Sequence, residues 1–177
     1  MTKKSTVKKC ILFVVAGLYV AFSLVVAVTH MDRENYTKLP NAEPVPPASS
    51  EWNGGCVLDF CNGVWIANDS ALLKETISAD TGGSYVISGW AVDIGRLTPL
   101  YGVYVKAGDK VLRCDYGEQR ADVAQVFEKD ECASSGFSVE IPAEMIKQSD
   151  GTFVSEISFY LLSSDTKYLY GPITYYL

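Results

Sequence analysis

Ser84-Tyr85-Val86-Ile87-Ser88-Gly89-Trp90-Ala91-Val92-Asp93 follows a Thr81-Gly82-Gly83 break and is dense in β-branched and aromatic residues, which reads as a strand. Similar segments flank it on both sides. Upstream, Cys56–Ile66 opens with Val57, Leu58 and Phe60, turns at Asn62-Gly63, and resumes at Val64-Trp65-Ile66. Downstream, Leu100–Lys106 and Lys110–Tyr116 read as a hairpin about Ala107-Gly108-Asp109. Phe137, Val139 and Ile141 alternate with Ser138 and Glu140 up to Pro142. Phe153, Ser155, Ile157, Phe159 and Leu161 share one face of a long strand, which returns through Ser163-Ser164-Asp165-Thr166 into Lys167–Tyr176.

Helix is confined to short pieces. Ala121–Glu128 places Val123, Val126 and Phe127 at i, i+3 and i+4, one or two turns packed on a sheet. Ala143–Gln148 is a second piece, with Pro142 near its start. Many short strands, frequent turns and little helix predict an all-β domain over residues 56–177, an antiparallel Ig-like or jelly-roll-type sandwich with one or two short helices. That length suffices for one modest core.

The N-terminal part has a different character. Lys3, Lys4, Lys8 and Lys9 precede the twenty uncharged residues Cys10–Thr29, a run long enough to span about 30 Å of hydrocarbon. Lysine-rich flanks stay on the cytoplasmic side. The expected order is a cytoplasmic tail (1–9), a single transmembrane helix acting as an uncleaved signal anchor (10–29), a Pro-rich linker (30–55) and an extracytoplasmic domain. A cleaved signal peptide is the competing reading, with Val25-Val26-Ala27 as its small-residue site. Its apolar region usually runs about 7–15 residues, and this one is longer. Both readings export the remainder.

From residue 31 onward eleven lysines and arginines stand against all twenty-one acids, a net charge of −10. Such acidity repels phosphate backbones and excludes nucleic acid as a partner. Cys56, Cys61, Cys114 and Cys132 fall in this part and permit three pairings. Pairing within local segments predicts Cys56–Cys61 and Cys114–Cys132, the latter worth about 3 kcal/mol on the chain-entropy model. A four-cysteine zinc site is disfavoured by the spacings and by the lack of a nearby histidine. No cofactor or metal is expected.

Several motifs fall in one order: Asp59…Asn62-Gly63, then Ser88-Gly89-Trp90-Ala91-Val92-Asp93, then Tyr116-Gly117-Glu118-Gln119-Arg120-Ala121-Asp122-Val123-Ala124, then Ser135-Gly136-Phe137. This order resembles a small bacterial β-sandwich module, found alone or appended to glycosyltransferases and cell-envelope proteins, with the pattern Gly-Trp-Ala-x-Asp, Tyr-Gly-x-x-Arg-Pro-Asp-Val-Ala and Gly-Phe. The chain departs from it at Ala121, where the module has proline, and in its added cysteines. The resemblance implies a sandwich over about 56–177 and carries no settled activity with it.

His30 is the only histidine and lies at the membrane boundary, so histidine acid–base chemistry is excluded from the domain. No motif pairs carboxylates as glycoside hydrolysis requires, and the chain reads as non-catalytic. Tyr101, Tyr104 and Tyr116, with Trp90, Asp93 and Asp115, are candidates for a sugar-binding face, although a central-strand tryptophan such as Trp90 belongs in the core. Asp93, Arg120 and Asp122 suggest an ion pair, Arg120 tying its helical turn to Asp93 or capping carbonyls and Asp122 helping to begin the turn. Arg120 is also a candidate ligand-binding residue, and Trp90 and Phe137 are structural motif residues. Asn35-Tyr-Thr37 and Asn68-Asp-Ser70 are formal N-glycosylation triplets. The expected partners are the membrane and either a glycan or another envelope protein.

Overall fold

The computed structural model describes residues 36–45, 55–80, 82–148 and 150–177. The tail expected over 1–9, the membrane helix expected over 10–29 and the Asn35 triplet lie outside or at the edge of these residues. In chain order the strands are β1 (Glu43–Val45), β2 (Cys56–Cys61), β3 (Val64–Trp65), β4 (Ser84–Ala91), β5 (Gly102–Ala107), β6 (Lys110–Arg113), β7 (Asp115–Glu118), β8 (Gly136–Pro142), β9 (Glu156–Leu162) and β10 (Tyr168–Tyr176). They form two five-stranded sheets, ordered β1-β10-β9-β5-β6 and β3-β2-β4-β8-β7. Every pairing is antiparallel except β1 with β10. The described domain is therefore an all-β sandwich with a few short helices.

Period-2 alternation decides what each strand buries. In β4, Tyr85, Ile87 and Ala91 enter the core between the sheets, where Leu58, Phe137 and Ile141 meet Val103, Val105, Phe159 and Leu161. Phe137 is fully buried, its ring 5.7 Å from that of Phe159. Each such side chain contributes about 1.5–3 kcal/mol on burial. Gly89 has a specific reason to be glycine: a Cβ there would lie 2.0 Å from the Val57 carbonyl oxygen.

Trp90 is buried, as expected, but not between the sheets. It projects from the outer face of β4 and packs under α2 (Ala121–Phe127), with its ring 5.8 Å from Phe127 in an edge-to-face contact. Strand alternation explains this: Gly89 and Ala91 take the inward positions, so the large ring between them must point out.

Two elements escaped the sequence reading. Helix α1 (Ser70–Ala79) begins at Asp69, whose carboxylate accepts from the backbone amides of Ala71 and Leu72, and it buries Leu73 and Ile77. Strand β1 lies within the stretch expected as linker, and Tyr36 bridges to Leu112, so the folded unit starts at Tyr36. The hairpin expected over Leu100–Tyr116 divides: β5 and β6 stay in one sheet, while Asp115–Glu118 crosses to the other as β7. The short helix after Pro142 is α3 (Ala143–Ile146).

Candidate functional site

The three candidate tyrosines do not share a face. Tyr104 is buried with Val111, Leu162 and Leu169 on the outside of the first sheet. Tyr116 packs against the main core, and its hydroxyl donates to the Ala91 carbonyl (2.8 Å) and accepts from the Leu100 amide (3.0 Å). Burial pushes its phenol up to about 12. Tyr116 is thus a half-buried tie between strand ends. Only Tyr101 is exposed, with the Arg113 guanidinium 5.5 Å from its ring centre.

Arg120 and Asp93 are not partners. From the N-terminus of α2, Arg120 Nη1 donates to Asp59 Oδ2 at 2.5 Å, while Nε and Nη2 take both oxygens of Asp122 at 2.9 and 2.7 Å. The fork geometry suits arginine. The hydrogen bonds from Asp122, then those from Asp59, raise the Arg120 pKa, and Arg120 in turn lowers that of Asp122. Asp122 therefore engages Arg120 from the first turn of α2, where its carboxylate also meets the backbone amides of Asp122 and Val123. Asp93 is buried elsewhere, accepting at 3.3 Å from the Arg96 amide and at 3.4 Å from the Tyr170 hydroxyl. The expected tie to Asp93 is replaced by one to Asp59, which reaches Arg120 only through the pairing of β2 with β4 and β4 with β8, a proximity that motif order does not show.

The predicted disulfides are absent. All four cysteines are free and buried. Cys56 and Cys61 occupy the two ends of one extended strand, roughly 16 Å apart at about 3.3 Å per residue, beyond the ~7 Å Cα limit of a bridge. Cys114 lies in the inter-sheet core and Cys132 in the separate cluster under α2, its Sγ 3.4 Å from the Leu97 carbonyl oxygen. Burial pushes the Cys61 thiol up to about 11 and raises those of Cys56 and Cys114 well above the ordinary range. Protonated and enclosed, these thiols are poor nucleophiles. Among the described residues no group of three or more His, Cys, Asp or Glu side chains is placed to hold a metal ion.

The Asn68 triplet is structural too. Asn68 Oδ1 accepts from the Leu58 amide and from the Tyr175 hydroxyl, tying the two sheets together.

The feature that the sequence did not show is a row across the outer face of the second sheet. Trp65 stands opposite Phe60, Phe60 opposite Ser88, Ser88 opposite Ser138, and Ser138 opposite Asp115. Directly opposed residues share a face, so these five side chains form one line across all five strands, about 19 Å long at ~4.8 Å per spacing. Trp65 is 57% exposed and Phe60 40%, with ring centres 5.1 Å apart and planes at 70°. Exposed Val86 lies beside them on β4, opposite Glu140. Ser138 Oγ donates to Glu118 Oε1 (2.6 Å), and Ser84 Oγ to Glu140 Oε1 (2.6 Å).

One flank of the row is built up. Along it runs the line Val57–Trp90–Gly136–Glu118, beneath α2 and Arg120. A Cβ on Gly136 would come within 2.9 Å of the Glu118 carbonyl and 3.0 Å of Arg120 Cγ, so this glycine makes room for the arginine stem. The row can be found from the sequence only if a bulge is known. Asp59 is an extra residue between the pairs Leu58–Gly89 and Phe60–Ser88, and it turns Phe60 outward and Cys61 inward.

Neither a family model, nor a curated protein, nor a solved structure matches the chain.

Proposed function

We propose that the chain is a non-catalytic binding or scaffolding domain, membrane-anchored and extracytoplasmic, that acts at the cell envelope on a glycan or a neighbouring membrane protein. The observation that carries the binding role is the Trp65–Phe60–Ser88–Ser138–Asp115 row, which exposes two large aromatics with no covering element among the described residues. Exposed apolar surface on a folded domain costs solvation unless something binds it. The lysine-flanked apolar run and the net charge of −10 beyond it support the topology. The resemblance to an envelope β-sandwich module supports the setting and a jelly-roll-type reading of the two sheets. Buried, protonated thiols are compatible with an oxidising compartment. The buried carboxylates Asp59 and Asp93 are committed to internal contacts, which supports a role without catalysis.

The test is topology and fractionation. A reporter fused after Leu177 should be active only outside the cytosol, and the full chain should remain in membranes after an alkaline wash. Reporter activity confined to the cytosol would overturn the proposal. A soluble exported product would favour the alternative, a secreted glycan-binding or carbohydrate-processing protein released by signal cleavage.

A further inference from the structure

We propose that the Trp65–Asp115 row binds a non-anionic oligosaccharide, neutral or amino-bearing, laid across the strands with one sugar ring in the corner formed by Trp65 and Phe60. The inference rests on the binding role proposed above and names its ligand.

Three observations select this occupant. The row is polarised: the two exposed rings sit at the β3 edge of the sheet, and beyond them come Ser88, Ser138 and Asp115. Protein interfaces place their aromatic anchors near a fully buried centre and are depleted of serine and acidic residues there. A saccharide has the opposite need, since one face of its ring presents C–H groups that stack on an aromatic ring while its hydroxyls seek acceptors along its length. The row's length of about 19 Å matches a short oligomer rather than a single sugar.

Charge supplies the second argument. Glu118 and Asp115 at the far end and Glu140 beside the row are anionic, and the neighbouring cation Arg120 is already held by Asp59 and Asp122. Two like charges about 4 Å apart in water cost roughly 1 kcal/mol, so uronate or phosphate groups along the ligand are disfavoured. Hydroxyl and ammonium groups are favoured.

The third is rigidity. The Ser138–Glu118 hydrogen bond, the Phe60–Trp65 ring contact and the Arg120–Asp59 ion pair hold their side chains before any ligand arrives. Such pre-organisation lowers the ordering cost of binding.

The test is calorimetry with the full chain in detergent micelles, using a chitotetraose, its deacetylated form, a neutral β-glucan tetramer and a tetra-uronate. The expected result is binding of at least one neutral or amino-bearing oligomer, at least tenfold weaker tetra-uronate binding at low salt, and a gap that narrows in 0.5 M salt. Trp65→Ala should weaken binding at least tenfold, Trp65→Phe should restore part of it, and Tyr101→Ala should leave it unchanged. A melting curve for each variant verifies folding. Absence of binding by every oligomer at millimolar concentration, equal or stronger uronate binding, or an unaffected Trp65→Ala would each overturn the inference. If Trp65→Ala instead abolished self-association or a cross-link to an envelope protein, the sugar assignment would fall while the binding role stood. Sugar binding by a protein whose reporter is active only in the cytosol would leave this inference standing and remove the envelope setting.

Discussion

Arg120, at the start of α2, and Asp59, in the bulge of β2, meet at 2.5 Å although they lie sixty-one residues apart. Asp59 is only 4% exposed, so its carboxylate depends on the guanidinium. The pair joins the helix that covers Trp90 to the strand that carries Phe60.

Removing Arg120 should therefore be costly. Breaking a buried pair from one side leaves an uncompensated charge and typically costs about 3–5 kcal/mol. Because Arg120 is itself partly exposed, Arg120→Ala is expected at the lower end of that range, about 3 kcal/mol, in urea unfolding. Asp122→Ala, at the exposed end of the same fork, should cost under ~1 kcal/mol. Equal effects for the two would show that the buried arm has no special weight.

Gly89→Ala should destabilise by about 2–3 kcal/mol or prevent folding, because the added methyl meets backbone rather than a movable side chain. Gly136→Ala meets the Arg120 stem as well, and its cost should shrink in an Arg120→Ala background. A double-mutant cycle in thermal unfolding measures that coupling.

The thiols predict an alkaline limit. Burial raises Cys56, Cys114 and Cys61 in the folded state, so above about pH 8.5 the unfolded chain ionises first. The folded state then holds more protons, and stability falls as pH rises, by up to ~1.4 kcal/mol per pH unit for each group. Melting temperature should drop steadily between pH 9 and 11, and Cys56→Ala should flatten the slope. In the native state at pH 8 none of the four described thiols should react rapidly with a colorimetric disulfide reagent; all should react in guanidinium.

Trp65→Ala should change stability by less than about 1 kcal/mol, since the side chain is mostly solvated and loses one ring contact. A larger loss would mean that the ring serves the fold rather than a ligand.

The strand pattern made the sandwich legible, because alternation in segments such as Ser84–Ala91 and Gly136–Pro142 follows directly from one face being buried. Phe137 in the core and the turn at Asn62-Gly63 were readable for the same reason. Helix α1 was not, because its two buried residues, Leu73 and Ile77, are too few to draw a strong 3.6-residue stripe. Strand β1 was hidden by its proline, Pro44, which an edge strand tolerates. The Cys56–Cys61 pairing failed because proximity in sequence means separation along an extended strand, and the Cys114–Cys132 pairing because the two fall in separate clusters. The candidate tyrosines failed because exposure depends on what lies across the sheet, and sequence shows only what lies along the strand.

The extra residue at Asp59 has a further consequence. In an uninterrupted pleat, Phe60 would fall inside and Cys61 outside. The bulge absorbs the extra residue, so the tip of the Cys56–Trp65 hairpin keeps its ring at the surface and its thiol hidden. Deleting Asp59 should leave Phe60 facing Ser88 and Cys61 facing Ile87 while removing the carboxylate that anchors Arg120, so the bulge adds a link to the helix without altering what the surface can grip.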